Sequence, residues 1–331
     1  MAASSERWAA RAALLATLAG GPLAACGSSA DLVIGSNPLR AGAAGAAAEA
    51  GASSAGGGAA GNAVGGMADV AGLGGGAEAG APEAGADSCD PSDVAPDGSL
   101  AHRYSFDGNG TAAIDSIRSA NGQLLDAPPP TNICTGSAVA PPGAVLDGNG
   151  RLVLDGCKGY VNLPNDLTKG MSDITIMTWA KWAGGAAFQR YFDFGVGDGE
   201  DTTTGQGASF FTVSTAGTDN TQLQLSVRQS GTLPVLELRT MIDMNDKVEH
   251  QVVGVFSSNA YVELYLDGAR LDHQPITFQL SDISGLNEWI GRSQWNSDHT
   301  FGGTVNEFRI YDQALSACAI RAMYDKGPEL L

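Results

Sequence analysis

The stretch YVELYLDGARL, residues 261–271, predicts the fold more directly than any other part of the chain. An apolar and aromatic run at Tyr261–Leu266 is interrupted by Asp267 and Gly268, and a second short run follows at Ala269–Leu271. An Asp-Gly pair between two such runs favours a two-residue β-hairpin turn, because both turn positions require a positive φ. The stretch therefore predicts two antiparallel strands joined by a tight turn.

Outward from this hairpin, short apolar runs recur between positions 102 and 311, separated by Gly, Asn, Asp and Pro. Regularly spaced short strands with turn residues between them are typical of a β-sandwich or barrel. The sequence predicts further strands at His102–Phe106, Arg151–Leu154, Tyr160–Leu163, Ile174–Trp182, Gln189–Phe194, Ala208–Val213, Gln222–Arg228, Val235–Thr240, His250–Ser257, Trp289–Arg292 and Thr304–Tyr311.

One helix is predicted, and it lies near the C-terminus. Ser316 is placed to cap it, Ala317–Tyr324 propagate it, and Gly327 followed by Pro328 ends it. The expected fold class is therefore all-β: a two-sheet antiparallel sandwich with one short C-terminal helix.

The chain has 331 residues, 46 of them glycine, and a formal net charge of -18. Residues 26–88 are dominated by Ala and Gly, lack aromatic residues and contain few branched ones, which predicts a disordered tether. The folded part is therefore expected at residues 89–331. An acidic surface repels phosphate backbones, so nucleic acid is not an expected partner.

The N-terminus has the layout of a secretory signal peptide, predicted at residues 1–25. Arg7 and Arg11 supply positive charge, Ala12–Gly20 form a short apolar core, and small residues precede Cys26. The apolar core is well short of the roughly 20 residues that a membrane-spanning helix needs.

The sequence LAAC at positions 23–26 resembles the bacterial lipobox. The resemblance implies cleavage before Cys26 and acylation of its thiol, which would hold the protein at a bilayer through lipid alone. The alternative is an ordinary signal peptide with a chance cysteine. Gly27 is compatible with sorting to an outer membrane, so we expect an exported protein anchored at the cell envelope, at the outer membrane or cell surface.

Acylation of one cysteine leaves an even number for disulfides, which form in exported proteins. Four cysteines allow three pairings. We expect Cys134–Cys157, which closes a short loop, and Cys89–Cys318, because the termini of a sandwich commonly lie near each other. No C-x-x-C spacing or nearby histidine favours a metal site at these cysteines.

Five groups of short motifs stand in order along residues 102–316. They are HRYSFD at 102–107, LDG with YVNLP at 154–164, ITI with Trp at 174–179, EHQVV with VELYLDG at 249–268, and GTVNEFRIY with ALS at 303–316. Together they resemble the laminin-G-like jelly-roll domains of the concanavalin A-like superfamily. The resemblance implies a jelly-roll sandwich over residues 89–331. Two positions depart from the family pattern: Glu249 replaces the usual Trp, and Asn306 replaces the usual Asp.

The resemblance also implies a structural Ca²⁺, because many relatives carry one. Calcium takes six to eight oxygen ligands and favours loops of Asp, Asn and Gly. Asp107, at the start of DGNGT, Asp115, and Asn306 are the candidate ligands. Asn306 keeps a carbonyl oxygen but lacks the charge. The alternative is plain turn chemistry, because DGNG occurs again at 147–150.

The stretch SQWNSDH, residues 293–299, places Trp295 beside Asn296 and Asp298. An aromatic ring for stacking, flanked by hydrogen-bonding groups, is how proteins hold a sugar ring. These three residues are therefore the candidate ligand-binding site. The alternative is that Trp295 folds back onto the rim of the sandwich.

Catalysis has little support in the sequence. Glycoside hydrolases need two carboxylates facing each other across a cleft, and the E-x-D-x-x-E strand of the hydrolases in this superfamily is absent. Asp193, Asp198, Glu200 and Asp201 cluster, but the glycines among them favour a solvated acidic turn. Motifs of metalloproteases, nucleophile elbows and phosphate loops do not occur.

The sequence thus predicts a surface-anchored, non-catalytic binding module that recognises carbohydrate or an extracellular protein. Two alternatives stay open: a glycoside hydrolase or lyase on the same fold, and an envelope structural protein without a discrete ligand.

Overall fold

The computed structural model describes residues 89, 95, 98–128, 141–200, 207–216 and 222–331. The predicted signal peptide, the acylation site Cys26 and the tether lie outside the described residues, and so does Cys134. Within the described part of the chain, no helix combines the length and apolar character needed to cross a membrane.

The described residues form sixteen strands and one α-helix, with a 3-10 turn at Leu280–Asp282. In chain order they are β1 (Leu100–Tyr104), β2 (Ala112–Ala113), β3 (Gly122–Asp126), β4 (Ala144–Leu146), β5 (Leu152–Asp155), β6 (Gly159–Leu163), β7 (Ile174–Trp182), β8 (Arg190–Val196), β9 (Ser209–Ala216), β10 (Gln222–Arg228), β11 (Leu236–Met241), β12 (His250–Ser257), β13 (Tyr261–Leu266), β14 (Ala269–Pro275), β15 (Asn287–Ile290), β16 (Gly302–Tyr311) and α1 (Ala317–Lys326).

The strands form two sheets of eight, and every pairing is antiparallel. Sheet 1 has the order β14-β13-β12-β7-β16-β5-β4, with β1 also paired to β16. Sheet 2 has the order β11-β10-β9-β8-β15-β6-β3-β2. The predicted two-sheet antiparallel jelly-roll sandwich is confirmed.

The central strand β7 shows how the sequence builds both faces of sheet 1. Ile176 and Trp182 point into the main core between the sheets, while Met177 and Trp179 point to the opposite face. There they pack with α1, which contributes Ile320 among others to this second apolar cluster. The helix therefore covers part of the outer face of sheet 1.

The hairpin and helix signals of the sequence are confirmed. Asp267 and Gly268 have φ values of 50° and 75°, as a two-residue turn between β13 and β14 requires. At the helix start, Ser316 Oγ accepts a hydrogen bond of 3.2 Å from the backbone N–H of Ala319. Gly327, with φ of 81°, follows the last helical residue.

A disulfide joins Cys89 to Cys318, with the two Cα atoms 5.2 Å apart, so this predicted pairing is confirmed. It ties the segment before β1 to the first turn of α1. Cys157 is also disulfide-bonded. The pairing predicted for it involves Cys134, which lies outside the described residues.

Candidate binding site

The outer face of sheet 2 carries a groove of about 180 Å³ beneath the loop that contains Trp295. Strand alternation creates it: in β10, Leu223, Leu225 and Val227 point into the core, so Gln224 and Ser226 point outward. The groove is lined by Phe188, Arg190, Phe210, Gln224, Ser226, Val235, Glu237, Trp295 and Asp298.

Trp295 forms one wall of the groove and is half-buried. Its ring packs edge-on against Phe210, with the ring centroids 4.7 Å apart and the planes at 67°. The guanidinium carbon of Arg190 lies 5.2 Å from the Trp295 ring centroid, a cation–π contact. These two contacts fix the indole before any ligand arrives.

Arg190 organises the polar end of the groove. Its Nη2 donates to Asp298 Oδ2 at 2.9 Å, its Nε lies 3.4 Å from Asp193 Oδ2, and its Nη1 donates to the carbonyl oxygen of Phe188 at 2.7 Å. Asp298 also accepts a 2.9 Å hydrogen bond from Ser293 Oγ. The guanidinium charge is thus balanced by two carboxylates.

Asp193 lies under the groove and is completely buried, with no exposed surface. Its Oδ2 accepts the backbone N–H of Gln294 at 3.0 Å, which holds the start of the Trp295 loop to β8. Burial raises the pKa of Asp193 to about 7, although Arg190 and the Gln294 hydrogen bond act in the opposite direction. This carboxyl group anchors the loop.

Gln224 lies at the floor of the groove. Gln224 is buried, its Nε2 donates to Glu237 Oε1 at 3.2 Å, and its Oε1 has no partner among the described residues. A buried acceptor without a partner is costly and uncommon.

Two of the three predicted ligand-binding residues come together here. Trp295 and Asp298 both line the groove, whereas Asn296 is half-buried in the same loop and is not part of the lining. The alternative for Trp295 describes its packing, because the ring folds back onto Phe210 of sheet 2. The indole does both: it rests on the sheet and forms the wall of the groove.

The expectation of a solvated acidic turn holds for only part of the predicted cluster. Asp198 and Glu200 are exposed, and Glu200 accepts a 2.6 Å hydrogen bond from Asn165. Asp193 is instead buried in β8, because its position in the strand places it beneath Arg190. Asp201 lies outside the described residues.

The three predicted calcium ligands have different hydrogen-bond partners. The two carboxylate oxygens of buried Asp115 accept hydrogen bonds from His102 and four backbone N–H groups, including that of Arg103. These donors outweigh the effect of burial and lower the pKa of Asp115 to about 2. These five donors occupy the lone pairs that a calcium ion would need.

The other two candidate ligands lie apart from this network. Asp107 accepts from Ser105 Oγ at 2.9 Å, and Asn306, at a bulge in β16, donates to Glu249 at 3.2 Å. Among the described residues, no group of three His, Cys, Asp or Glu side chains is arranged to hold a metal ion. Calcium binding by Asp107, Asp115 and Asn306 stays a prediction.

Sequence reasoning missed Arg190, Phe210, Gln224, Ser226 and Glu237. The period-2 alternation of β10 could have indicated that Gln224 and Ser226 point outward from the core. No local signal connects position 190 with position 298, because that contact arises only when β8 and β15 pair side by side.

Comparison with protein families gives one match in sequence. The model described as the concanavalin A-like lectin/glucanases superfamily matches residues 155–321, half of the chain. A comparison with curated proteins gives no match.

Solved structures provide matches in fold. Domain 4 of AbnA, a GH43 extracellular arabinanase from Geobacillus stearothermophilus, in complex with arabinotriose, is 18% identical, with a TM-score of 0.50 over 67% of this chain and 97% of that one. The Ruminococcus gnavus IT-sialidase CBM40 bound to α2,3 sialyllactose is 20% identical, with a TM-score of 0.40 over 49% and 91%. The binding domain of botulinum neurotoxin serotype D/C is 10% identical, with a TM-score of 0.47 over 69% and 52%.

Proposed function

The chain belongs to the concanavalin A-like lectin/glucanases superfamily, and from this premise we propose that it is a non-catalytic module that binds a glycan in the Trp295 groove. One observation carries the proposal: a fixed, half-exposed indole lines a groove together with polar side chains, among them Arg190, Glu237 and Asp298. Sugar rings combine an apolar face with hydroxyl groups, and this groove offers a surface for each.

The charges of the groove favour a neutral saccharide over an acidic one. Arg190 is balanced by Asp193 and Asp298, and Glu237 adds a further carboxylate. No surplus positive charge is left at the groove to attract an anionic sugar. A volume of about 180 Å³ lies below the roughly 300–1,000 Å³ of ordinary small-molecule pockets. The groove therefore suits one sugar ring of a longer chain.

The arrangement of carboxylates supports binding over hydrolysis. A glycosidase needs two carboxyl groups free to act on the substrate, about 5–9.5 Å apart. Asp193 is fully buried and holds the loop backbone, while Asp298 is bound to Arg190 and Ser293. Both carboxylates hold the residues around the groove in place, so we propose no catalytic role for them.

A glycan array tests this proposal, with neutral arabinose, xylose and glucose oligosaccharides as the first probes. We expect binding of at least one neutral glycan, and loss of that binding in Trp295→Ala. Tyr261→Ala is the matched control, because Tyr261 is also a half-buried ring, stacked on His273 at 5.0 Å but on the other sheet. Release of reducing sugar, or equal binding by Trp295→Ala, would contradict the proposal.

We also propose that the module is displayed from a membrane through an acyl chain on Cys26, with residues 26–88 as the spacer. The LAAC sequence and the Ala/Gly-rich composition support this. Labelled palmitate should enter the wild-type protein expressed in a bacterium but not Cys26→Ser. Equal labelling of both proteins, or of neither, would refute the anchor.

A further inference from the structure

A second cleft, of about 430 Å³, lies at sheet 1 and gathers positive charge. Lys181, next to the core residue Trp182 on β7, points to the outer face of the sheet, away from the Trp295 groove on sheet 2. The cleft is lined by Arg151, Lys181, Ala183, Lys247, Glu249, Gly303 and Thr304. Three cations thus meet one carboxylate, on a protein whose net charge is -18.

The one carboxylate in the cleft is already engaged. Glu249 forms an ion pair with Arg151 and accepts a 3.2 Å hydrogen bond from Asn306 Nδ2. It therefore neutralises Arg151 and leaves the charges of Lys181 and Lys247 without a counterpart.

Ion pairing is common among the basic residues of the described part of the chain, but Lys181, Lys247 and Arg228 form no such pair there. Neither Lys181 nor Lys247 forms an ion pair with a carboxylate of the described residues, although acidic side chains are abundant. The basic residues that do form such pairs are Arg103, Arg118, Arg151, Lys158, Lys169, Arg190, Arg239, Arg270, Arg309 and Arg321.

The backbone is shaped to hold Lys247 in this cleft. Lys247 has a φ of 65°, an uncommon conformation for a residue with a side chain. Its ammonium donates to the carbonyl oxygen of Ala183 and to Asn245. A Cβ atom at Gly184 would lie 2.9 Å from Lys247 Nζ, so the glycine leaves the space that the ammonium uses.

We propose that this cleft binds an oxyanion, a carboxylate or a sulfate, carried by an acidic saccharide. Lysine ammonium groups are point charges that recognise oxyanions without a fixed geometry. An anion between Lys181 and Lys247 would offset their mutual repulsion and supply the missing counter-charge. The cleft would act independently of the neutral-glycan groove, since the two sites share no residue.

Isothermal titration calorimetry of the protein with trigalacturonate, a sulfated disaccharide, and inorganic sulfate and phosphate tests this assignment. We expect at least one acidic saccharide to bind, with an affinity that falls as salt rises. The double variant Lys181→Gln/Lys247→Gln should weaken that binding about tenfold or more. Lys169→Gln is the matched control, because Lys169 is exposed but paired with Asp166 at 2.9 Å.

Three outcomes would overturn the proposal: no acidic saccharide binds, only the inorganic ions bind, or the double variant binds as tightly as the wild type. Circular dichroism melts of each variant confirm that the fold is retained; both lysines are exposed, so little change is expected. Trp295→Ala should keep its affinity for the acidic saccharide, which separates failure of this site from failure of the groove.

Discussion

The carboxylate of Asp298 lies 2.9 Å from Arg190 Nη2, and this contact joins the Trp295 loop to strand β8. The same guanidinium lies beside buried Asp193, whose other oxygen, Oδ1, has no partner among the described residues. Arg190 therefore serves two carboxylates that differ in exposure: the Asp298 side chain is 16% exposed and that of Asp193 is not exposed at all. Loss of the contact with Arg190 should therefore cost more free energy of unfolding at buried Asp193 than at Asp298.

Replacing Arg190 should be far more damaging than replacing Asp298. Arg190→Met removes the cation beside a fully buried carboxyl group, and breaking a buried pair in this way typically costs about 3–5 kcal/mol. Asp298→Asn keeps a hydrogen-bond acceptor at the groove rim and should cost about 1 kcal/mol. Urea denaturation at about pH 8.5, where an Asp193 with a pKa of about 7 is ionised, measures both values. Equal losses for the two variants would mean that Asp193 does not depend on Arg190.

Gly207→Ala should impair glycan binding although it replaces none of the residues that line the groove. A Cβ atom at position 207 would lie 2.7 Å from Trp295 Cη2, closer than real contacts allow, so the indole must shift. If the position of the ring matters, affinity for the glycan found on the array should fall about tenfold. Gly110→Ala is the control, because its Cβ would meet nothing within 4 Å. Unchanged binding by Gly207→Ala would show that the indole position is not critical.

Local rules in the sequence are sufficient for much of the fold. The limits of β7, β10, β12 and β13 agree with the predicted ones, and the Asp267-Gly268 turn and the Ser316 cap follow from turn and capping chemistry. Strands β2, β3 and β4 were not predicted. They are two to five residues long, and β2 is the dipeptide Ala112–Ala113. Such segments become strands through their neighbours in the sheet rather than through their own apolar pattern.

The candidate site could be predicted only in part. The sequence indicates which residues share a loop, but it does not indicate which strands become neighbours in a sheet. Trp295 and Asp298 lie in one polar loop and could be identified together. Arg190 and Gln224 are distant in sequence, and they reach the groove because β15, β8, β9 and β10 are successive neighbours in sheet 2. The same limit applies to Asp115, whose backbone donors are visible only once the chain is folded.

Removing the Cys89–Cys318 disulfide should lower stability and leave ligand binding intact. The bond spans 229 residues, and constraining so long a loop in the unfolded chain is expected to contribute about 2–5 kcal/mol. The double variant Cys89→Ser/Cys318→Ser should therefore melt at a lower temperature. Below that temperature its glycan affinity should equal that of the wild type, because the bond lies at α1 on sheet 1. An unchanged melting temperature would show that the packing of α1 suffices without the bond.

Glu288 should make the protein less stable as pH rises through the neutral range. Its side chain is fully buried on β15, where Oε1 accepts from Thr168 Oγ1 at 2.9 Å and Oε2 has no partner among the described residues. Burial raises the pKa of Glu288 to about 8, well above the ordinary value of 4.5. The folded protein thus holds a proton that the unfolded chain releases. This group's contribution to stability is complete below pH 4.5 and is lost as pH rises through about 8.

Glu288→Gln should remove this part of the pH dependence, because an amide of nearly the same shape does not titrate. The variant should match the wild type near pH 4 and become increasingly more stable than it between about pH 4.5 and 8, by at most roughly 1.4 kcal/mol per pH unit, with no further gain at higher pH. Part of the decline should persist, because burial raises the pKa of Asp193 to about 7 and a hydrogen bond to Asp267 raises that of His250 to about 8. Denaturant unfolding across this range measures the effect, with the exposed Glu200→Gln as control. Parallel curves for wild type and Glu288→Gln would show that Glu288 is already ionised in the folded protein at pH 6.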